Sequence, residues 1–453
     1  MNPFPLPSGQ FSGDTFPVFR DGVCHLFHMM PPVIAHHVSR DMVNWEERPV
    51  VVARGVSGEP DCNNNATGCV VEHEGRFYMF YTGNQNICLT ISNDLDNWTK
   101  YPLNPVLAGD NKQYSTENFR DAFVFYYEPE KCWWMLFGTR TMAHPGQRAG
   151  CVGLAKSQDV LHWELHPPLW SPEIGPHCDC PQLINHQEKW YLFYLQRNTR
   201  VRVADSPEGP FLRAVIRNLF TPLCSAGSRP AWDGKRWITF PFIMRLVNES
   251  EDGDWQYGGP LAIPRQLQFL PDGSVAEKAI DEMISTIQKL PNPGNPVADA
   301  EPLVGRWNLQ ERQVACLSDS GGTLLFPSVT ADCYLDFDLI LNHKSSDFHL
   351  LLRTGAELLN GYQLSLHPTT SQISLRQISE YDIDRVMVNR HFDLPIGSPI
   401  HLRAFLKGDI LEVFINEHVS LTARLYSYKD GQAGIEFRDG SGIVKNIQWR
   451  ELK

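Results

Sequence analysis

Three carboxylates stand where apolar strands begin. Asp121 follows Arg120 at the mouth of the run Phe119-Arg120-Asp121-Ala122-Phe123-Val124-Phe125, Asp14 follows Gly13 ahead of Thr15-Phe16-Pro17, and Asp179 lies between Cys178 and Cys180. Buried strands ordinarily start from a turn residue such as Gly, Asn or a lone Asp, and a charged pair there is costly unless something uses it. Two or three carboxylates around a pocket for a neutral ligand suit glycosidic bond cleavage. One attacks the sugar carbon or activates a water, a second protonates the leaving oxygen, and a neighbouring charge tunes the pair. On this reading Asp121 stays ionised beside the Arg120 cation, whereas burial raises the pKa of Asp179, as an acid requires. Taken singly, Asp14 reads as a turn residue and Arg120-Asp121 as an ion pair fixing a loop; the three together read as a site.

The elements that must position them repeat. Five times a turn leads into a short apolar strand: Val23 to Met29, Phe77 to Tyr81, Cys132 to Phe137, Trp190 to Leu195 and Arg236 to Phe242. A second strand follows with a shared ending, Ser39-Arg40-Asp41 then Trp45, Ser92-Asn93-Asp94 then Trp98, and Ser157-Gln158-Asp159 then Trp163, with a degenerate fourth form at 204–211. Ser and Asp cap a turn through local side-chain hydrogen bonds, and the Trp reopens the chain as an outer strand. Five units of this kind, each of several strands, predict a five-bladed β-propeller. Its innermost strands start at Asp14, Asn65, Arg120, Asp179 and Ser228, so the three carboxylates are expected in equivalent phase, converging on one mouth of the channel.

Beyond the propeller, assigned to 1–275, near-helical spacing of Ile280, Met283, Ile284 and Ile287 predicts a connecting helix over Glu277 to Leu290. A Pro/Asn/Gly linker completes the connector, 276–298, and 299–453 alternates strands and turns as a β-sandwich. The fold class is therefore all-β. A net charge of −12 from 40 basic and 52 acidic residues argues against nucleic acid or an anionic membrane as partner and fits a neutral small-molecule carbohydrate. No apolar run reaches membrane-span length, and the start of the chain does not read as a signal peptide. Eleven cysteines, an odd number set largely in apolar runs, predict reduced thiols in a cytoplasmic protein. Cys178 and Cys180 are too few for a metal site; no metal or cofactor is expected, and oligomeric state is left open.

The five-unit pattern, the stretch Phe119-Arg120-Asp121-Ala122, the Asp179-Cys180-Pro181 triplet and the C-terminal sandwich resemble glycoside hydrolase family 32, the invertases, inulinases and levanases related to family 43. The segments around Ile34 to Asp41, Pro264-Arg265-Gln266-Leu267 and Leu411 to Asn416 are similar to that family's first-blade ending, propeller exit and sandwich strand. The resemblance implies a retaining furanosidase acting on β-fructofuranosyl linkages of short oligosaccharides. Asp14 would be its nucleophile, Asp179 its acid/base and Arg120-Asp121 its transition-state stabiliser. Asn65, Thr67, Phe119 and His36 would join Arg120 in sugar binding. The departures are Gly13 and Thr15 around Asp14, Ala122 after Arg-Asp, and Asp179 where the family carries Glu, with Glu173 and Glu117 as alternative proton sources. The other readings are an inverting family 43-like enzyme with Asp14 as general base, a fructosyltransferase, and a carbohydrate-binding propeller without turnover.

Overall fold

The computed structural model describes residues 2–4, 11–196, 198–214, 225–355, 357–380 and 385–452. Five antiparallel sheets ring a channel. The first holds Thr15–Arg20, Val23–Met30, Val33–Ser39 and Glu46–Val52; the second Asn65–His73, Arg76–Gly83, Asn86–Ser92 and Trp98–Lys100. The third holds Tyr114–Tyr127, Cys132–Thr141, Gly150–Ser157 and Glu164–Trp170, and the fourth Asp179–His186, Lys189–Gln196 and Asn198–Ala204. In the fifth, Ala231–Trp232 and Trp237–Thr239 are joined by Arg265–Phe269 and Val275–Ala279. The single strand expected from Arg236 to Phe242 is broken. Pro241, which has no N–H to give to a ladder, separates Thr239 from Phe242–Ile243, and the latter pairs with Ser225–Ala226 instead.

The repeated Ser-x-Asp endings behave alike. Ser39 Oγ accepts the N–H groups of Asp41 and Met42, and Asp41 Oδ1 those of Val43 and Asn44. Ser92 with Asp94 and Ser157 with Asp159 repeat the pattern. The Trp that follows does more than reopen the chain. Trp98 and Trp163 each meet a phenylalanine of the preceding blade edge-on, Phe27 at 5.9 Å and Phe80 at 5.5 Å. Trp45 of the first blade does the same to Phe240 beside the fifth, at 5.5 Å. One repeated residue thus stitches neighbouring blades and helps close the ring.

The helix is shorter than expected, Asp281–Gln288, and buries Met283, Ile284 and Ile287. Glu277 to Ala279 belong to the last strand of the fifth blade because Glu277 is needed there. Arg265 donates to Glu277 Oε1 at 2.6 Å and also bonds Glu412 of the sandwich, with all three side chains fully buried. Glu412 in turn accepts the Ile263 N–H at 2.7 Å. A buried charge of this kind holds only with its partners in place, so the triad fixes the sandwich against the propeller exit. The sandwich itself has two seven-stranded antiparallel sheets between Glu301 and Glu451. Leu324, Leu339, Phe348, Leu364, Val413 and Ile435 fill the space between them. The ten described cysteines are free, and no described helix is long and apolar enough to cross a membrane.

Candidate active site

The innermost strands of blades two, three and four each carry one residue more than their partners at the channel end. Ala66 pairs with Thr82 and Gly68 with Tyr81, leaving Thr67 over. Arg120 pairs with Gly138 and Phe123 with Leu136, so Asp121 and Ala122 face one residue. Asp179 pairs with Leu195 and Gln182 with Phe193, so Cys180 and Pro181 do likewise. Such bulges re-aim side chains, and the backbone at Asp121 and Cys180 takes the left-handed conformation, with φ of 63° and 47°. The register corrects the expected phase. Asp121 corresponds to Cys180, and Asp179 corresponds to Arg120, one residue earlier.

That offset builds two tiers. In the inner tier Asp14 Oδ2 accepts from Thr67 Oγ1 at 2.5 Å and from Cys180 Sγ at 3.4 Å. Asp121 Oδ2 accepts the Cys180 N–H at 3.0 Å, and the Asp121 N–H donates to Thr82 Oγ1 at 2.9 Å. The Asp14 N–H donates to Tyr257 Oη at 3.1 Å, while Asp14 Oδ1 is buried with no hydrogen-bond partner among the described residues. Gly227 leaves room for that oxygen: its φ is +64°, and a Cβ there would lie 2.2 Å from Asp14 Oδ1. In the outer tier Arg120 donates to Asp179 Oδ1 at 2.9 Å and to Gln85 and Asn118. Beneath both, the buried Arg229 of the fifth unit donates to the Gly68, Ala122 and Asp121 carbonyls.

Burial raises the Asp14 pKa to about 6, with repulsion from Asp121 adding to it and bonds from Thr67, Tyr257 and Cys180 opposing it. Asp179 is also raised, by burial first and by Asp14, against the Arg120 cation. The Asp121 pKa is raised as well. Burial raises it more than Arg120 lowers it, because the guanidinium lies 3.8 Å from Asp121 and nearer to Asp179. Asp14, Asp121 and Cys180 place donor atoms within 4.8 Å of one another, the geometry of a cation site. Burial and the two carboxylates push the Cys180 thiol far up, and its Sγ lies 3.4 Å from Asp14 Oδ2 and 3.5 Å from Asp121 Oδ2. Cys178 is buried apart from this trio, in the core with Leu183 and Tyr194.

A cavity of about 800 Å³ opens at Asp179, lined by His177, Ile174, Phe242, Met244 and Tyr257 among others. Four expected sugar ligands do not face it. Phe119 is fully buried, stacked on Phe137 at 4.3 Å; His36 is fully buried between His25 and Phe27. Asn65 and Thr67 are fully buried too. Asn65 bonds the Ala53 carbonyl, and Thr67 holds Asp14. Glu117 and Glu173 are exposed and do not line the cavity. Arg229, Tyr257 and His177 were missed as contributors, although Arg229 sits at the fifth strand start and His177 two residues before Asp179.

Comparison with known proteins agrees with this architecture. A family model described as the glycosyl hydrolases family 32 N-terminal domain matches residues 17–220, and the family 32 C-terminal model matches 307–451. The chain is 26% identical over 483 residues to a levanase of Bacillus subtilis, covering 94% of this chain and 66% of that protein. It is 27% identical over 470 residues to a probable sucrose-6-phosphate hydrolase of Vibrio cholerae, covering 97% of this chain and 78% of the relative. Among solved structures, an exo-inulinase from Aspergillus awamori superposes with a TM-score of 0.72 at 16% identity, over 99% of this chain and 98% of the other. The Bombyx mori β-fructofuranosidase gives 0.69 at 18%, over 99% and 93%; at these identities the likeness is one of fold. With both family models matched in order along a propeller and a sandwich, the chain belongs to glycosyl hydrolase family 32.

Proposed function

We propose that the chain cleaves terminal β-fructofuranosyl linkages of short oligosaccharides with retention of configuration. The observation that carries this reading is Asp14, which has one oxygen fixed by Thr67 and Cys180 and the other left without a partner at the channel's inner end. A carboxylate so held is pre-aimed, and forming a bond to the anomeric carbon needs no further reorganisation of its neighbours. Asp179, on the cavity side and raised in pKa, gives its proton to the leaving oxygen. It then takes one from the water that frees the sugar from Asp14. Asp121 and the Arg120 cation frame the ring where positive charge develops and is relieved. The names of the relatives, a levanase and a sucrose-6-phosphate hydrolase, support the furanosyl specificity. The free, mostly buried cysteines support a reducing, cytoplasmic setting.

The test is the configuration of the first product. Short fructosides incubated with the wild type and followed by NMR should release β-fructofuranose before mutarotation, and Asp14→Asn should release none. Release of the α-anomer first would replace double displacement with single inversion.

A further inference from the structure

The cavity beyond Asp179 carries apolar side chains open to solvent. Ile174 is 43% exposed and Tyr257 40%, and Leu195 and Met244, both partly buried, line the cavity with them. Tyr257 stands edge-on to Phe242, with ring centroids 5.0 Å apart. Planar guanidinium groups complete the lining, those of Arg148 and Arg213 among them. Hydrogen-bond acceptors are scarce. Asp179 is the one carboxylate among the described lining residues and bonds Arg120, and the Tyr257 hydroxyl accepts the Asp14 N–H at 3.1 Å. The Gln196 amide donates to the Ile174 carbonyl at 3.2 Å.

Apolar residues exposed singly need no explanation, but several in one concave site mark the place of an apolar ligand. A sugar ring brings hydroxyl donors on every edge, and here they would be short of acceptors. An aromatic ring has no donors to satisfy. It packs well against Tyr257 backed by Phe242, against the Met244 thioether, and with its π-face on a guanidinium. Three kinds of neighbour in one cavity thus favour the same partner. Asp179 opens into this cavity, so the aromatic group is the one that departs, while the furanosyl ring is held at Asp14.

We propose that this cavity receives an aromatic aglycone, which makes aryl β-fructofuranosides, with a phenol as leaving group, a substrate class of the site. This deepens the hydrolase reading and rests on Asp179 standing at the leaving group. The bond from the anomeric carbon to the phenolic oxygen breaks as that carbon bonds Asp14, and the oxygen leaves with the Asp179 proton. Water then returns a proton to Asp179 and frees the sugar from Asp14, so one phenol and one fructose result. The test compares kcat/KM for phenyl and 2-naphthyl β-fructofuranosides, whose phenols are of similar acidity, in the wild type and in an Ile174→Ser/Met244→Ser variant. Sucrose is the reference with a sugar as leaving group. The wild type should prefer naphthyl over phenyl by about fivefold or more, the scale set by the apolar area of a second ring, and the variant should lose most of that ratio. Equal values for the two aryl substrates in the wild type would overturn the proposal, as would an unchanged ratio in a folded variant. A higher kcat/KM for sucrose than for the phenyl compound, the better leaving group, would assign the cavity to sugars and overturn it too. Should no fructoside turn over, the hydrolase reading fails, and calorimetric binding of 2-naphthol against glucose decides the cavity by itself. Naphthol binding that the variant loses supports the proposal, and its absence or its persistence in the variant ends it.

Discussion

The Arg120 guanidinium lies 2.9 Å from the carboxylate of Asp179, on the next blade, and 3.8 Å from that of Asp121, its neighbour in sequence. The cation therefore governs the outer carboxylate first. Removing it by Arg120→Gln should raise the Asp179 pKa further, since Arg120 is the largest influence opposing burial there. The expected outcome is a loss of about a hundredfold or more in kcat, with the alkaline limb of the kcat/KM profile moved to higher pH. A pH–rate profile checks it, and an unmoved limb would remove Asp179 from the alkaline ionisation.

Asp14 sets the acid side of the same profile. Its carboxylate must be ionised to attack, and its pKa is about 6, so activity should fall as pH drops through about 6. The stability effect has the opposite sense. A carboxylate raised in the folded state binds more protons there than when unfolded, so stability is lost as pH climbs from about 4 to about 6. Asp14→Asn removes that penalty. It should abolish turnover yet raise stability at pH 7 by at most about 3 kcal/mol, with little gain at pH 4. Thermal melts of the two proteins at both pH values give the comparison.

Asp179 is tested by leaving groups. Asp179→Asn should cut turnover of alkyl and sugar fructosides by about a hundredfold or more, and that of aryl fructosides with acidic phenols much less, because the latter leave without a proton. Azide, small and anionic, should restore turnover of the aryl substrate and yield fructosyl azide with retained configuration. No azide adduct would point to a proton source other than Asp179.

Arg229 satisfies three backbone carbonyls, on blades two and three, from a position on the fifth. Arg229→Leu leaves those carbonyls buried and unpaired across the channel. The expected loss is about 3–5 kcal/mol in unfolding free energy. Denaturant titration measures it; a loss under about 1 kcal/mol would mean that water replaces the guanidinium at the hub.

Much of this molecule is legible in its sequence because local chemistry repeats. The Ser39-x-Asp41 and Trp45 pattern recurs at Ser92 and Ser157, and its hydrogen bonds join residues two or three apart, so the blades can be counted without coordinates. The starts of the inner strands, with Asp14, Arg120-Asp121 and Asp179, follow from that count. What the count could not supply was side-chain direction. A strand alternates its faces, and a one-residue bulge reverses every face beyond it. The bulges in blades two to four sent Thr67 to Asp14, paired Asp121 with Cys180 and Asp179 with Arg120, and left Phe119 in the core. Likewise, only folding set burial against charge at Asp121, where desolvation outweighs the adjacent arginine. The sequence alone determined which residues open the inner strands, through turn-and-strand units that repeat along the chain. The tertiary structure decided which of them touch, because contacts between blades depend on register and desolvation, and neither is written in any single stretch of chain.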